Sequence, residues 1–396
     1  RPEVRMNLTR EIALRFLMSR KGPGRFTGIV SMAGMGVGCF ALVISLAVLN
    51  GFEGQVREKL RGFDGDLRLT GTELDATIQL LENRPEIQSV MPFKTRQGLI
   101  QYRSNQRMVT FKAVDMQMMQ SFYNVSIQGE IPQKNGILIG RDTAARLGVR
   151  VGDEMIISSP LDQTPSIGFP HRLKTIVNGI FHSQILDYDD RIIFLPAETG
   201  ELLFRRLDRW DGIDLRIYPE TNIEDAETSI AAVLPKGVIL QTWEDIHSIL
   251  VKAMRLERLG AISVLSLIIL VAAFNLTATL SLITVQKIKE IGILRAMGTP
   301  IHTLKNVLVI QGFWRGGWGA FSGLLSGCCL VFIQNITGFI PLPTDIYFMR
   351  TLPMQLLPAD ILLITIIASG FILISSWAAS RKVAIIEPRD ALQWTK

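Results

Sequence analysis

Few residues in this chain could do covalent chemistry, and none stands at a spacing that supports it. The histidines, His171, His182, His247 and His302, are scattered, with no H-E-x-x-H and no Cys/His cluster at metal-ligand spacing. The chain contains no Gly-Lys dipeptide, so it has no G-x-x-x-x-G-K-[ST] loop to cradle nucleotide phosphates. No G-x-S-x-G elbow supports a nucleophilic serine. Cys39, Cys328 and Cys329 lie in apolar runs, and the large middle region has no cysteine and therefore no disulfide. The expectation is a non-enzyme without metal or cofactor, which moves something by changing conformation.

One segment has the residue types and spacing for mechanical work. Lys287–Pro300 reads KIKEIGILRAMGTP. Ile288, Ile291 and Leu294 or Arg295 recur at helical spacing, and Gly298-Thr299-Pro300 ends the turn. A short helix held between two membrane spans can offer contacts to a cytosolic partner. In that reading Glu290 and Arg295 make polar rim contacts, and Ile291 and Leu294 fill the partner's groove. The plainer alternative is an ordinary loop between spans.

The elements that hold this segment are legible in hydropathy. The 396 residues have mean hydropathy +0.28 and formal net charge +6. Residues 51–254 hold 23 Lys/Arg against 28 Asp/Glu, and the rest of the chain 19 against 8. The basic excess flanks the apolar runs, which points to membrane topology and not to nucleic acid. Four transmembrane helices are predicted, at 26–52, 255–286, 303–335 and 361–380. The run Leu259–Gln286 holds 28 uncharged residues, enough to cross a ~30 Å hydrocarbon core. Seven Lys/Arg against two acids precede residue 26, so both termini are expected in the cytoplasm of a multi-pass protein. No cleavable signal peptide is expected, and Met6 is a candidate start. Residues 1–25 suit an interfacial amphipathic helix, with Leu8, Ile12, Ala13, Phe16 and Leu17 on one face. Gly34 and Gly38 permit close helix contact, as do Gly319, Gly323 and Gly327. Asn275 is expected in an interhelical hydrogen bond. Arg315 reads as snorkelling to headgroups, with an ion pair or a lipid phosphate as the alternative. Residues 287–302 form the coupling segment, 336–360 a second outer loop, and 381–396 a cytoplasmic tail.

Residues 53–254 read as a large extracytoplasmic α/β domain. Asp66–Thr70 and Ile87–Phe93 flank a helix near Leu74–Asn83. Gly212–Tyr218 and Gly237–Gln241 flank another at Asn222–Leu234. Such units pair into a split βαβ lobe, with an inserted β-rich lobe expected at about 94–211. A helix from Trp243 to Arg258 is expected to run on into the second span. Within the insertion, residues 160–172 read PLDQTPSIGFPHR. This connection exceeds a plain hairpin loop, and Pro160, Pro165 and Pro170 stiffen it. That suits a docking hook, with Pro165, Phe169, Pro170 and Arg172 as its contacts. At the outer ends of the first two spans, Val48, Leu49, Phe52, Met254, Leu259 and Ile262 are candidates to line an apolar cavity.

Asn50–Glu53 (NGFE), Ala272–Asn275 (AAFN), Lys287–Gly298 (KIKEIGILRAMG) and Glu387–Leu392 (EPRDAL) together resemble the transmembrane subunits of lipoprotein-releasing ABC transporters, the LolC/LolE family. The likeness runs from Met6 onward. The EIGILRAMG segment is shared with the wider superfamily of MacB-like exporters and FtsX-like division proteins. MacB-like exporters carry an N-terminal ATPase that this sequence does not show, and FtsX-like proteins a smaller outer domain. Thr164-Pro165, followed by Pro170 and Arg172, resembles the hook of the LolC type. The resemblance implies a bacterial inner-membrane permease, paired with a homologous subunit or a second copy of itself. Two copies of an ATPase subunit bind the ATP, triacylated lipoproteins are the substrates, and a periplasmic lipoprotein carrier receives them at the hook. The remaining classes are a MacB-like export or efflux permease and an FtsX-like signalling module that activates a periplasmic enzyme.

Overall fold

The computed structural model describes residues 24–158, 172–204, 209–342, 349 and 351–381. The interfacial helix expected at Asn7–Lys21, the hook residues Pro165, Phe169 and Pro170, and the EPRDAL segment lie outside the described residues. The chain divides into two compact units, Arg1–Gly54 with Ala253–Lys396, and Gln55–Lys252.

The first unit holds the apolar stretches of the membrane helices. Among the described residues, four helices are long and apolar enough to cross a membrane: Gly24–Asp64, Ser248–Gln286, Ile301–Thr337 and Pro358–Arg381. They are called here the first to fourth spans. The first runs 12 residues past the expected end at 52, because Val56–Arg61 (VREKLR) favours helix, no proline intervenes, and Gly62 falls in the last turn. The expected helix from Trp243 is interrupted at His247. Trp243–Ile246 is a separate turn opened by a Thr242/Asp245 capping box and ended at His247, and Ser248 opens the long helix.

Small residues set how these helices pack. A Cβ at Gly319 would overlap the carbonyl of Met32, and one at Gly323 the carbonyl of Gly36. Gly327 lies against Val43. The helix that fills the Gly319/Gly323/Gly327 groove is thus the first span. Gly34 and Gly38 face Ala272 and Ile269 of the second. Leu42, Leu46, Ile269, Leu276, Ile364 and Ile372 form the buried core between the helices. Hydroxyls supply the polar ties. Ser31 Oγ lies 2.8 Å from Thr279 Oγ1, and Thr277 Oγ1 lies 2.6 Å from Ser375 Oγ. Asn275, expected in this role, is exposed beside Phe274, and no described residue bonds it. Its Cβ points off the packed face that carries Ala272 and Leu276.

The described residues of the second unit form one ten-stranded sheet. In chain order its strands are β1 (Leu67–Gly71), β2 (Ile87–Tyr102), β3 (Asn105–Val114), β4 (Ser126–Gly129), β5 (Gly136–Gly140), β6 (Glu154–Ser158), β7 (Arg172–His182), β8 (Ile192–Pro196), β9 (Gly212–Ile217) and β10 (Val238–Thr242). The spatial order is β10-β1-β9-β2-β3-β8-β5-β7-β4, with β6 pairing β2 and β7. Because β9 lies antiparallel between β1 and β2, those two run parallel one strand apart. β1 likewise lies between β9 and β10. Two interlocked split βαβ units result. Their helices, Leu74–Glu82 and Ile223–Ala231, bury Leu74, Leu81, Ala226 and Ile230 against Leu67, Leu69, Ile213 and Leu215.

The expected boundary of an inserted lobe at residue 94 falls inside β2. This 16-residue strand pairs β9 through Ile87–Phe93 and β3 through Phe93–Tyr102. One strand therefore serves both regions, and the insertion extends the same sheet. Beyond it, β5 reads GILIG and is buried at every residue, as a strand covered on both faces must be. The helix after it, Arg141–Leu147, stops at Gly148, whose φ of +69° disfavours any residue with a Cβ.

Candidate functional site

The charged residues of the membrane unit sort into two rims. About 22 residues, ~33 Å of helix, separate Gly28 from Asn50 on the first span, close to a hydrocarbon thickness. At the Asn50 rim, Asp360 opens the fourth span and is almost wholly buried. Asn50 Nδ2 donates to its Oδ2 at 2.5 Å, and Arg258 Nη2 of the second span pairs with its Oδ1 at 2.6 Å. One carboxylate thereby ties three spans. The described part of the loop between the third and fourth spans folds onto the same rim. Gln355 N donates to Ala47 O (2.8 Å), Asn335 Nδ2 to Met354 O (2.9 Å) and Gln334 Nε2 to Leu352 O (3.1 Å). Gly51 has no side chain because the backbone of Pro353 occupies that space. Removing one partner of a buried pair leaves the other uncompensated. Arg258 is one-third exposed, so water recovers part of that loss. Asp360→Ala is expected to destabilise the membrane unit by about 1–3 kcal/mol. Asp360→Asn, which keeps one hydrogen bond to Asn50 or Arg258, should fall between it and wild type. Thermal melts in detergent read both, and equal melting of all three proteins would remove the rim's structural role.

Between the second and third spans, Ile288–Ala296 forms the expected short helix. Lys287 Nζ pairs with Glu290 Oε1 at 2.6 Å. Gly298, at φ +89°, turns the chain, and Thr299 N donates to Leu294 O at 3.0 Å. The orientation of the helix differs from expectation. Ile291 is 4% exposed and packs with Leu294 on Leu304 and Leu308 of the third span. These two residues therefore dock the helix to its own chain, Ile291 buried and Leu294 half-buried. The outward surface carries Glu290, Ile293 and Met297, the last 79% exposed. Arg295 is half-buried and has a partner within the chain.

The second unit carries a buried charge network drawn from five elements and the turn at His247. Asp64 is approached by Arg68 Nη2 (3.0 Å), His247 Nε2 (2.9 Å) and the hydroxyl of Tyr188. Arg68 Nε also meets Asp214 Oδ1 at 2.5 Å, and Lys112 Nζ meets Asp214 Oδ2 at 2.8 Å. The Lys112 ammonium also stands 4.7 Å from the Phe93 ring centre and 5.1 Å from that of Tyr123. Burial, reinforced by the Asp64 carboxylate, holds the Tyr188 phenol well above its ordinary pKa, so it stays a donor. Phe63, Tyr123, Phe181, Phe194 and Tyr188 pack around the network with ring centres 4.2–6.4 Å apart. Neither periodicity nor motif signals it. The acids look like ordinary surface charges until the sheet gathers them.

Of the cavity candidates, Val48 and Ile262 pack half-buried on the bundle core. Leu49 and Met254 are half-buried, and Phe52 and Leu259 are exposed. Leu49 and Leu259 adjoin Asn50 and Arg258, so their backbones stand at the Asn50 rim. Arg172 is exposed at the start of β7, paired in register with Ser158 at the end of β6. The hook segment thus leaves from and returns to adjacent paired strands.

Two family models match the chain. The MacB-like periplasmic core domain covers residues 29–233, and the FtsX-like permease C-terminal model covers 262–388. Four spans among the described residues, with a MacB-like match that begins within the first and an FtsX-like match that begins within the second, define the class as a MacB/FtsX-like permease. The lipoprotein-releasing system transmembrane protein LolC of Neisseria meningitidis serogroup B is 26% identical over 97% of this chain and 98% of its own. The corresponding LolE of Haemophilus influenzae is 25% identical over 91% and 93%. The periplasmic region of MacB from Actinobacillus actinomycetemcomitans shares 12% identity at a TM-score of 0.36, over 50% of this chain and 97% of that one. This chain belongs to the LolC/LolE family of the MacB/FtsX-like permease superfamily.

Proposed function

We propose that this chain is the permease subunit of an ABC transporter that releases lipoproteins from the bacterial inner membrane. End-to-end similarity to LolC and LolE transmembrane proteins carries this reading. It disfavours the efflux and signalling alternatives. Drawing an acyl chain out of a bilayer exposes CH₂ groups at ~0.8 kcal/mol each, so work must be supplied and the chain shielded. An ATPase subunit in two copies supplies the work and binds the ATP. A second membrane subunit, homologous or identical, completes the cavity, and a soluble periplasmic carrier takes the lipoprotein. Both termini and the helix Ile288–Ala296 are cytoplasmic in this scheme, and the Asn50 rim faces the periplasm. The decisive experiment reconstitutes the chain with its ATPase and a triacylated lipoprotein in liposomes. ATP-dependent appearance of lipoprotein on a soluble carrier is expected, and no transfer despite ATP hydrolysis would refute the reading.

The outward face of Ile288–Ala296 and the residue after it is the proposed ATPase contact, with Glu290, Ile293 and Met297 touching the partner and Ile291 and Leu294 anchoring the helix. Ile293→Glu combined with Met297→Glu is expected to cut ATP-driven release at least tenfold, about 1.4 kcal/mol or more of coupling. Membrane insertion should be unchanged, because neither residue is buried. Undiminished release by the double variant would remove this face from the coupling path.

Pro165, Phe169, Pro170 and Arg172 are the proposed carrier contacts. Since β6 and β7 stay paired up to Ser158 and Arg172, replacing Pro160–His171 by an Asn-Gly turn leaves the strand pairing in place. That variant should hydrolyse ATP normally with its partner yet fail to load the carrier. Normal loading would end the hook's docking role.

A further inference from the structure

The two rims of the membrane unit differ in how their charge is matched. At the Asn50 rim the arginine has its acid: Arg258 meets Asp360. At the Gly28 rim, Arg315 of the third span has no acid among the described residues. No hydrogen bond or ion pair reaches it from the described residues, and its Nη1 is shut from solvent without a partner. One turn nearer the start of the helix, Gln311 is fully buried with both its amide nitrogen and oxygen unpaired. Positions i and i+4 share a helix face, and long side chains lean toward the helix start, so the two unpaired groups lie on one face of the third span. The first span passes the arginine at a residue without a side chain: a Cβ at Gly28 would lie 3.4 Å from Arg315 Nη1.

Depth identifies what can neutralise this cation. From Gly316 to the end of the third span at Thr337 the helix is uncharged for 22 residues. That run is ~33 Å long and crosses the hydrocarbon core by itself, leaving Arg315 at the boundary of the core. Exposed Trp314 and Trp318 straddle the arginine and meet edge to face, with centres 5.9 Å apart. Amphipathic rings of this kind sit at headgroup level. The species abundant at that depth is the phosphodiester of a phospholipid, and a guanidinium fork matches its oxygens.

We propose that Arg315 seats the phosphate of a phospholipid at the Gly28 rim, with the Gln311 amide completing a polar recess behind the guanidinium. The seated lipid occupies a fixed place on the third span, the helix on which Ile291 and Leu294 pack. It is therefore part of the structure and is held beyond the exchange of bulk lipid.

Wild type, Arg315→Met and Arg315→Lys are to be purified as full chains, delipidated, and titrated with phosphatidylglycerol, phosphatidylethanolamine or a phosphate-free galactolipid. Native mass spectrometry and melting temperature are the readouts. Wild type is expected to bind one phospholipid at concentrations at least tenfold lower than Arg315→Met, with Arg315→Lys between them. Inorganic phosphate at millimolar concentration should not displace it. Four results would each overturn the proposal: equal phospholipid retention by Arg315→Met, displacement by inorganic phosphate (a free-anion site), equal stabilisation by the galactolipid, or loss of pairing with a second membrane subunit at unchanged lipid binding (a partner carboxylate). Should Arg315→Met fail to fold, the galactolipid and phosphate arms on wild type still decide, because only a phosphate seat makes the stabilisation depend on the lipid's phosphate.

Discussion

Asp214→Ala is expected to lower the melting temperature of the second unit by about 10 °C. Asp214 is fully buried on β9 and is the shared acceptor of Arg68 and of Lys112, itself almost wholly buried. Truncation leaves an ammonium among aromatic rings with no counter-charge, and such losses cost about 3–5 kcal/mol. A domain of this size shifts by roughly 2–4 °C per kcal/mol. Arg68 retains Asp64, so the damage centres on Lys112. The double variant Asp214→Ala with Lys112→Met should recover part of the loss, since it removes the orphaned charge along with its partner. Melts of the full chain followed by circular dichroism distinguish these cases. A single variant within 2 °C of wild type would show that the network is solvated and contributes little.

Gly323→Leu is expected to abolish close packing of the first and third spans. The side chain would be built into the carbonyl of Gly36, which is main chain and cannot rotate away. Overpacking a flexible core costs about 1–3 kcal/mol, and a wall of backbone is less forgiving, so the two helices must part. Gly370→Leu is the matched control. It sits on the fourth span with nothing within 4 Å of the added Cβ. Monodisperse yield in mild detergent should collapse for the first variant and stay near wild type for the second. Equal behaviour of the two would mean that the small-residue groove does not determine the packing.

Much of this architecture could be read from local pattern. Long uncharged runs marked the four spans, because a bilayer demands ~20 consecutive apolar residues whatever their neighbours are. The two strand–helix–strand units were visible because alternation and helical spacing are written into adjacent residues, as in Leu67–Gly71 and Leu74–Glu82. The short helix after Gln286 showed itself by spacing and by its closing Gly298-Thr299-Pro300. The motif resemblance, though thin at each segment, led to the family in which the whole chain belongs.

What periodicity cannot carry is the identity of the partner across a long loop. It showed that one face of Ile288–Ala296 is apolar, and only the packing on Leu304 and Leu308 decided that Ile291 points home. It separated two lobes at residue 94, where hydrogen bonding makes β2 a single strand for both. Asn50 stood out within NGFE, but its acceptor Asp360 is 310 residues away. Asp64 and Asp214 gained meaning only when the sheet brought them to the same arginine. A sequence determines by short-range sterics and hydropathy which residues turn inward, so spans, strands and caps are written locally. Pairing of buried charges depends on distances between elements far apart in the chain, and those exist only once the sheet and the helix bundle have formed.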